Sequence, residues 1–145
     1  MNTIRHILQV KGNDVWSVTP RTTVFDALRV MEAKNVGALL VMDGDKVEGI
    51  FSERDYARKV VLLGRSSKET LVSEIMTSKE KLHTMHPDQT IEEAMETMTN
   101  KRVRHLPIME GNHLIGMISI GDVLREIIYS QRAAIREMED KILGK

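Results

Sequence analysis

Two stretches place the same side chains in the same frame, GIFSERDYAR at 49–58 and GMISIGDVLR at 116–125. Each reads glycine, two apolar residues, serine, two variable residues, aspartate and, three residues further on, arginine. Ser52 with Asp55, and Ser119 with Asp122, could do two kinds of chemistry. A serine followed three residues later by an acid is a capping box, in which each side chain answers an unpaired backbone amide of the helix start. The same atoms suit a ligand. A helix start presents free amides and partial positive charge to a phosphate, and a carboxylate beside it can accept both hydroxyls of a ribose. Gly49 and Gly116 fall inside apolar runs that read as strands, where glycine marks close approach by another backbone or a ligand. Copying preserves caps as faithfully as sites, so both readings stand.

Little else offers chemistry. Neither aspartate is accompanied by a nucleophile and base or by a metal cluster, so no catalytic residue is expected. The histidines (His6, His83, His86, His105 and His113) show no ligand spacing, and no metal is expected. With no cysteine, disulfides and thiolate sites are excluded, which fits a reducing cytoplasm. The 21 basic and 21 acidic residues cancel, which argues against a nucleic-acid or membrane-surface partner. Lys101, Arg102 and Arg104 read as a solvated helix end, and the ten methionines as core filler. Trp16 either packs on a neighbour or stacks on a base. The N-terminus carries charge within its apolar stretch and lacks a signal-peptide core, and no run reaches the ~20 apolar residues that span a bilayer.

The elements that must position these residues are duplicated. A shift of 67 lays Pro20–Arg58 on Pro87–Arg125 without a gap, and 13 of the 39 pairs are identical. Chance would match about one pair in sixteen at ordinary composition. Val24, Ala27, Leu28 and Met31 share one helical face, as do Ile91, Ala94, Met95 and Met98, behind the candidate N-caps Thr23 and Thr90. Two apolar runs then flank Asp43-Gly44-Asp45 in one copy and Glu110-Gly111-Asn112 in the other, each a hairpin signal. The serine–aspartate frame opens a further helix, over Glu53–Leu63 in the first copy. Each unit reads strand, helix, strand, strand, helix. One unit alone would leave a sheet face bare, so the expected architecture is α+β in two layers, two pseudo-twofold repeats packed sheet to sheet. The expected division is a helical segment at 1–14, repeats at 15–63 and 78–130, a linker at 64–77 whose VSEIMT, 72–77, reads as a short helix leading into the second unit, and a helical tail at 131–145.

The repeat unit, the lead-in proline, the run Leu106-Pro107-Ile108-Met109 and the serine–aspartate frame together resemble the cystathionine-β-synthase (CBS) domain. Its tandem pair, the Bateman module, would cover about 15–130. The resemblance implies an adenosine effector such as AMP, ADP, ATP, NAD or S-adenosylmethionine, held in clefts between repeats, with no catalytic cofactor. Carried over, Asp122 grips a ribose with Ser119 and Gly121, walled by Val18, Thr19, Thr22, Thr23, Val36, Gly37 and Ala38, and Arg104 reaches phosphate. Asp55, Ser52 and Arg54 would form a second site beside Met85–Thr90, Val103, Arg104 and His105. The small Gly37 and Ala38 leave room for a base near Asp122, whereas Arg104 and His105 crowd the other site. The Asp122 site is therefore favoured.

A stand-alone regulatory module acting on an unidentified protein is the function so implied. The alternatives are a ligand-free structural dimer and, further off, a nucleotide-processing enzyme. The tail carries a broad apolar stripe through Val123, Ile127, Ile128, Ala134, Ile135, Met138 and Ile142, and the N-terminal TIRHILQV carries a smaller one. Both suit homodimerisation, with an intramolecular strap as the alternative.

Overall fold

The computed structural model describes residues 2–144, and the chain divides into two compact units, Met1–Asn13 with Thr84–Lys145 and Asp14–His83. Helices and strands are mixed in both. Among the described residues no helix is long and apolar enough to cross a membrane.

The unit Asp14–His83 contains β1 (Ser17–Val18), α2 (Val24–Lys34), β2 (Ala38–Asp43), β3 (Lys46–Ser52), α3 (Glu53–Tyr56), α4 (Val72–Ile75) and β4 (Thr77–Ser78); α1 (Ile4–Lys11) precedes it in the chain and belongs to the other unit. Its sheet runs in the order β1-β2-β3-β4, with β1 parallel to β2 and the remaining pairs antiparallel. Thr23 caps α2 by accepting the Asp26 amide at 3.2 Å, which answers one of the free donors of the first turn. The hairpin β2–β3 turns on Gly44, whose φ of 63° a side chain rarely adopts. After α3 the helix loosens into a π-helical segment, Ala57–Val61, and stops near Gly64.

The second unit holds α1 (Ile4–Lys11), α5 (Ile91–Lys101), β5 (His105–Glu110), β6 (His113–Ser119) and α6 (Ile120–Leu143). Thr90 caps α5 through the Glu93 amide at 3.1 Å. Gly111, φ 62°, turns the β5–β6 hairpin. The duplication extends to irregularities. Both hairpins slip register at the same aligned step, Val41/Met42 and Ile108/Met109. Asn35 and Arg102, also aligned, both end their helices in the left-handed conformation at φ 54°.

The short helix expected at 72–77 forms as α4, and its Val72 and Ile75 are buried in the core of the Asp14–His83 unit with Val24, Ala27, Met31, Leu39 and Phe51. The N-terminal stripe takes the intramolecular role rather than staying free for dimerisation. Ile4, Ile7 and Leu8 are buried in the other unit's core with Ile91, Met98, Ile108 and Ile118. The segments are equivalent. Ile4 and Arg5 donate backbone hydrogen bonds to the carbonyls of Gln89 and Pro87, while Val72 and Ser73 donate to those of Thr22 and Pro20. Both bring a short helix onto the repeat beside them. Gly49 and Gly116 are thereby explained. A side chain at Gly116 would stand 2.8 Å from Leu8, and one at Gly49 would meet the Thr77 carbonyl and the Met76 sulfur. The close approach comes from the chain itself.

Candidate functional site

Both serine–aspartate frames form complete capping boxes. The Ser52 amide donates to Asp55 Oδ2 at 3.0 Å and Ser52 Oγ accepts the Asp55 amide at 3.2 Å. The Ser119 amide donates to Asp122 Oδ2 at 2.8 Å, and Ser119 Oγ accepts the Asp122 amide at 3.2 Å. Each helix start is therefore satisfied by its own frame, as capping requires. Further hydrogen bonds continue the parallel, from the Glu53 amide to the Gly37 carbonyl and from the Ile120 amide to the Arg104 carbonyl.

Both aspartates are buried, at 7% exposure each, so their carboxylates need counter-charges. These differ. Asp55 Oδ1 faces Lys59 Nζ at 3.2 Å, one helical turn on, and that ammonium also donates to the Ile75 carbonyl at 3.0 Å. Asp122 takes two cations. Lys11, from the end of α1, reaches Oδ2 at 2.8 Å, and Arg125 reaches Oδ1 at 2.6 Å. Burial alone would raise the Asp122 pKa, but the hydrogen bonds from Lys11 and the Ser119 amide outweigh it and hold the carboxyl below its ordinary range. His105 pairs with Ser119 across the β5–β6 hairpin. Burial pushes its pKa down; the Asp122 charge opposes that push, while Lys11 and Arg104 add to it.

Of the expected site residues, Ser119, Gly121, Asp122, Arg104 and His105 lie in one unit, around the start of α6. Val18, Thr19, Thr22, Thr23, Val36, Gly37, Ala38, Ser52, Arg54 and Asp55 lie in the other. Several have structural work there. Val18 and Ala38 are buried, Thr19 and Thr22 hydrogen-bond one another at 3.1 Å, and Thr23 is the helix cap. Val36 borders a groove of about 530 Å³ between α2 and α3, with Met31, Glu53 and Tyr56. Trp16 is partly exposed, with Lys34 Nζ 4.3 Å above its ring. Lys11, Lys59 and Arg125 were missed. Lys59 and Arg125 follow their aspartates by four and three residues, a helical spacing that could have flagged them. Lys11 has no such local signal.

The spacing of the histidines also failed to foresee one cluster. His86, Asp88 and Glu110 bring potential ligand atoms within 4.8 Å of one another. All three are exposed, and Arg5 is paired with Asp88 at 3.0 Å and Glu110 at 3.2 Å. That guanidinium already offsets part of their charge.

Comparison with known proteins decides the family. The model of the CBS domain matches residues 5–62 and again 72–129. The chain belongs to the CBS domain family. Each match opens at a covering helix, α1 or α4, although the structure places α1 in the unit that holds most of the second match and α4 in the unit that holds most of the first. A CBS domain-containing mitochondrial protein of Arabidopsis thaliana, CBSX3, is 39% identical over 98% of this chain and 72% of its own length. A putative signal-transduction protein with CBS domains from Burkholderia ambifaria superposes with a TM-score of 0.85 at 48% identity, over 90% of this chain and 96% of that one. A CBS domain protein from Pyrobaculum aerophilum, complexed with AMP, shares the fold at TM-score 0.73 and 19% identity, over 88% of this chain and 98% of that one.

Proposed function

We propose that this CBS pair is a regulatory module that binds an adenine nucleotide (AMP, ADP, ATP or NAD) and passes its occupancy to a partner protein without catalysing a reaction. Paired CBS modules generally bind adenine nucleotides for regulation, and AMP accompanies the Pyrobaculum protein. Asp122 is the observation that carries the reading. It is a charged carboxylate at the mouth of α6, and its outer contacts are side chains that sugar hydroxyls can replace. Ser119, Gly121, Arg104 and His105 stand with it in the same unit, Asp122 on the ribose and Arg104 on phosphate. Asp55, Ser52 and Arg54 form the second, weaker site. Occupancy acts only through a difference in nucleotide affinity between two arrangements of the protein.

Calorimetric titration with AMP, ADP, ATP and NAD tests the reading. Asp122→Asn should lower affinity at least about tenfold, a loss of about 1.4 kcal/mol. Ser119→Ala removes the cap side chain but keeps the carboxylate. It should lower stability by about 1 kcal/mol and weaken binding less than Asp122→Asn does. Equal affinities in Asp122→Asn and the parent would leave the frame as a cap only. That is the second reading, favoured by the completeness of both capping boxes: a homodimeric structural module without ligand.

Self-association belongs to either reading. From Tyr129 to Leu143, α6 is exposed at every residue except Asp140, and Ile128, Ile135, Met138 and Ile142 form a stripe along it. A helix of this length is marginal in water without a packed face, and a second copy supplies one. Sedimentation should find a dimer that Ile135→Glu with Ile142→Glu dissociates; a monomeric parent protein would refute it.

A further inference from the structure

The geometry points to Lys11 as the residue that makes the Asp122 site select phosphorylated nucleosides over nucleosides without phosphate. This rests on the reading of Asp122 as the ribose-binding carboxylate.

Asp122 has one carboxylate and two cationic partners. Its side chain is 6% exposed, that of Lys11 34% and that of Arg125 68%, so both cations are more open to solvent than the carboxylate they pair with. A diol donates two hydroxyls to one carboxylate, and to do so it must displace Lys11, Arg125 or both. A nucleoside offers a displaced ammonium nothing in return, and a ligand bearing a cation would repel it. A phosphate returns a charge-assisted hydrogen bond. Lys11 is the better placed of the two. Its Nζ also donates to the Met117 carbonyl at 2.9 Å, so it stays tethered beside the site when it releases Asp122. The helix that carries it is anchored by the buried Ile4, Ile7 and Leu8. The charges of Lys11 and Arg104 are both felt at His105. Lys11 and Arg125 against Asp122 leave that cluster of three net positive, which suits an anion.

Calorimetric titration of the full chain with adenosine and with AMP tests this. The wild-type protein should bind AMP at least about tenfold more tightly than adenosine, equivalent to about 1.4 kcal/mol. In Lys11→Met, AMP affinity should fall at least about tenfold while adenosine affinity holds or rises, so the preference collapses. Lys11→Arg, which keeps the charge, should retain the preference. Should Lys11→Met not fold, the wild-type ratio still decides, because equal affinities for the two ligands overturn the inference. An unchanged ratio in a folded Lys11→Met also overturns it, leaving the Asp122 site intact. If the wild-type protein binds neither compound, the reading of Asp122 fails and this inference fails with it.

Discussion

Asp55 and Asp122 occupy the same place in two copies of one unit, yet different cations answer them. Both are buried and both accept their own N-cap amide. Asp55 is paired within its helix, by Lys59 one turn on. Asp122 is paired at long range, by Lys11 of α1, and also by Arg125. Duplication therefore kept what the helix start demands and let the charge around it drift. The helices that follow diverged as well. In the first copy, α3 loosens into a π-helical segment and ends by Gly64, whereas α6 runs on for 24 residues. A cap depends on four consecutive residues, but its counter-ion depends on whichever element lies nearby.

The strongest way to break the equivalence is through the two strand glycines. Alanine at Gly49 meets the Thr77 backbone carbonyl, which cannot move without shifting β4, while alanine at Gly116 meets the flexible end of Leu8. Gly49→Ala should cost about 3 kcal/mol and Gly116→Ala about 1 kcal/mol, within the range of overpacked sites. Urea unfolding of both variants measures the difference, and equal costs would show that the two covering segments are held alike.

Acid sharpens the comparison with a smaller effect. The folded pKa of Asp122 lies below its ordinary value, so its stabilisation is present above about pH 3.9 and is lost as pH falls through the folded pKa. Unfolding free energies should decline with acidification below that point, and Lys11→Met should flatten the decline. His105 gives the smallest effect. Its pKa is lowered in the fold, so the unfolded chain takes up a proton first as pH drops through about 6.5, and stability falls from there towards the folded pKa. In His105→Gln that slope between neutral and mildly acidic pH should disappear.

Local chemistry was legible in the sequence. Thr23 and Thr90 cap their helices, Gly44 and Gly111 turn their hairpins, and both frames are capping boxes, because each depends on residues within four positions. What sequence distance hid was the partner of each sheet. The covering segments match at an offset of 68 in Ile4 and Val72, whereas the repeats match at 67. A gapless shift therefore passes over them. Lys11 is 111 residues from Asp122, and no local period could have joined the two. The triad of His86, Asp88 and Glu110 was hidden similarly, since Glu110 arrives through the β5–β6 hairpin.

The interleaved course of the backbone has a consequence for biosynthesis. The first helix leaves the ribosome well before the sheet it must cover, with the whole Asp14–His83 unit translated in between. Until β6 emerges, Ile4, Ile7 and Leu8 are a sticky, unclaimed strip on a nascent chain. The other unit finds its covering helix immediately downstream and can mature first. Loop-closure entropy grows only slowly with chain length, so the long wait weighs little on the finished protein. Its burden falls on the interval of synthesis, when a chaperone has most to gain by shielding that strip.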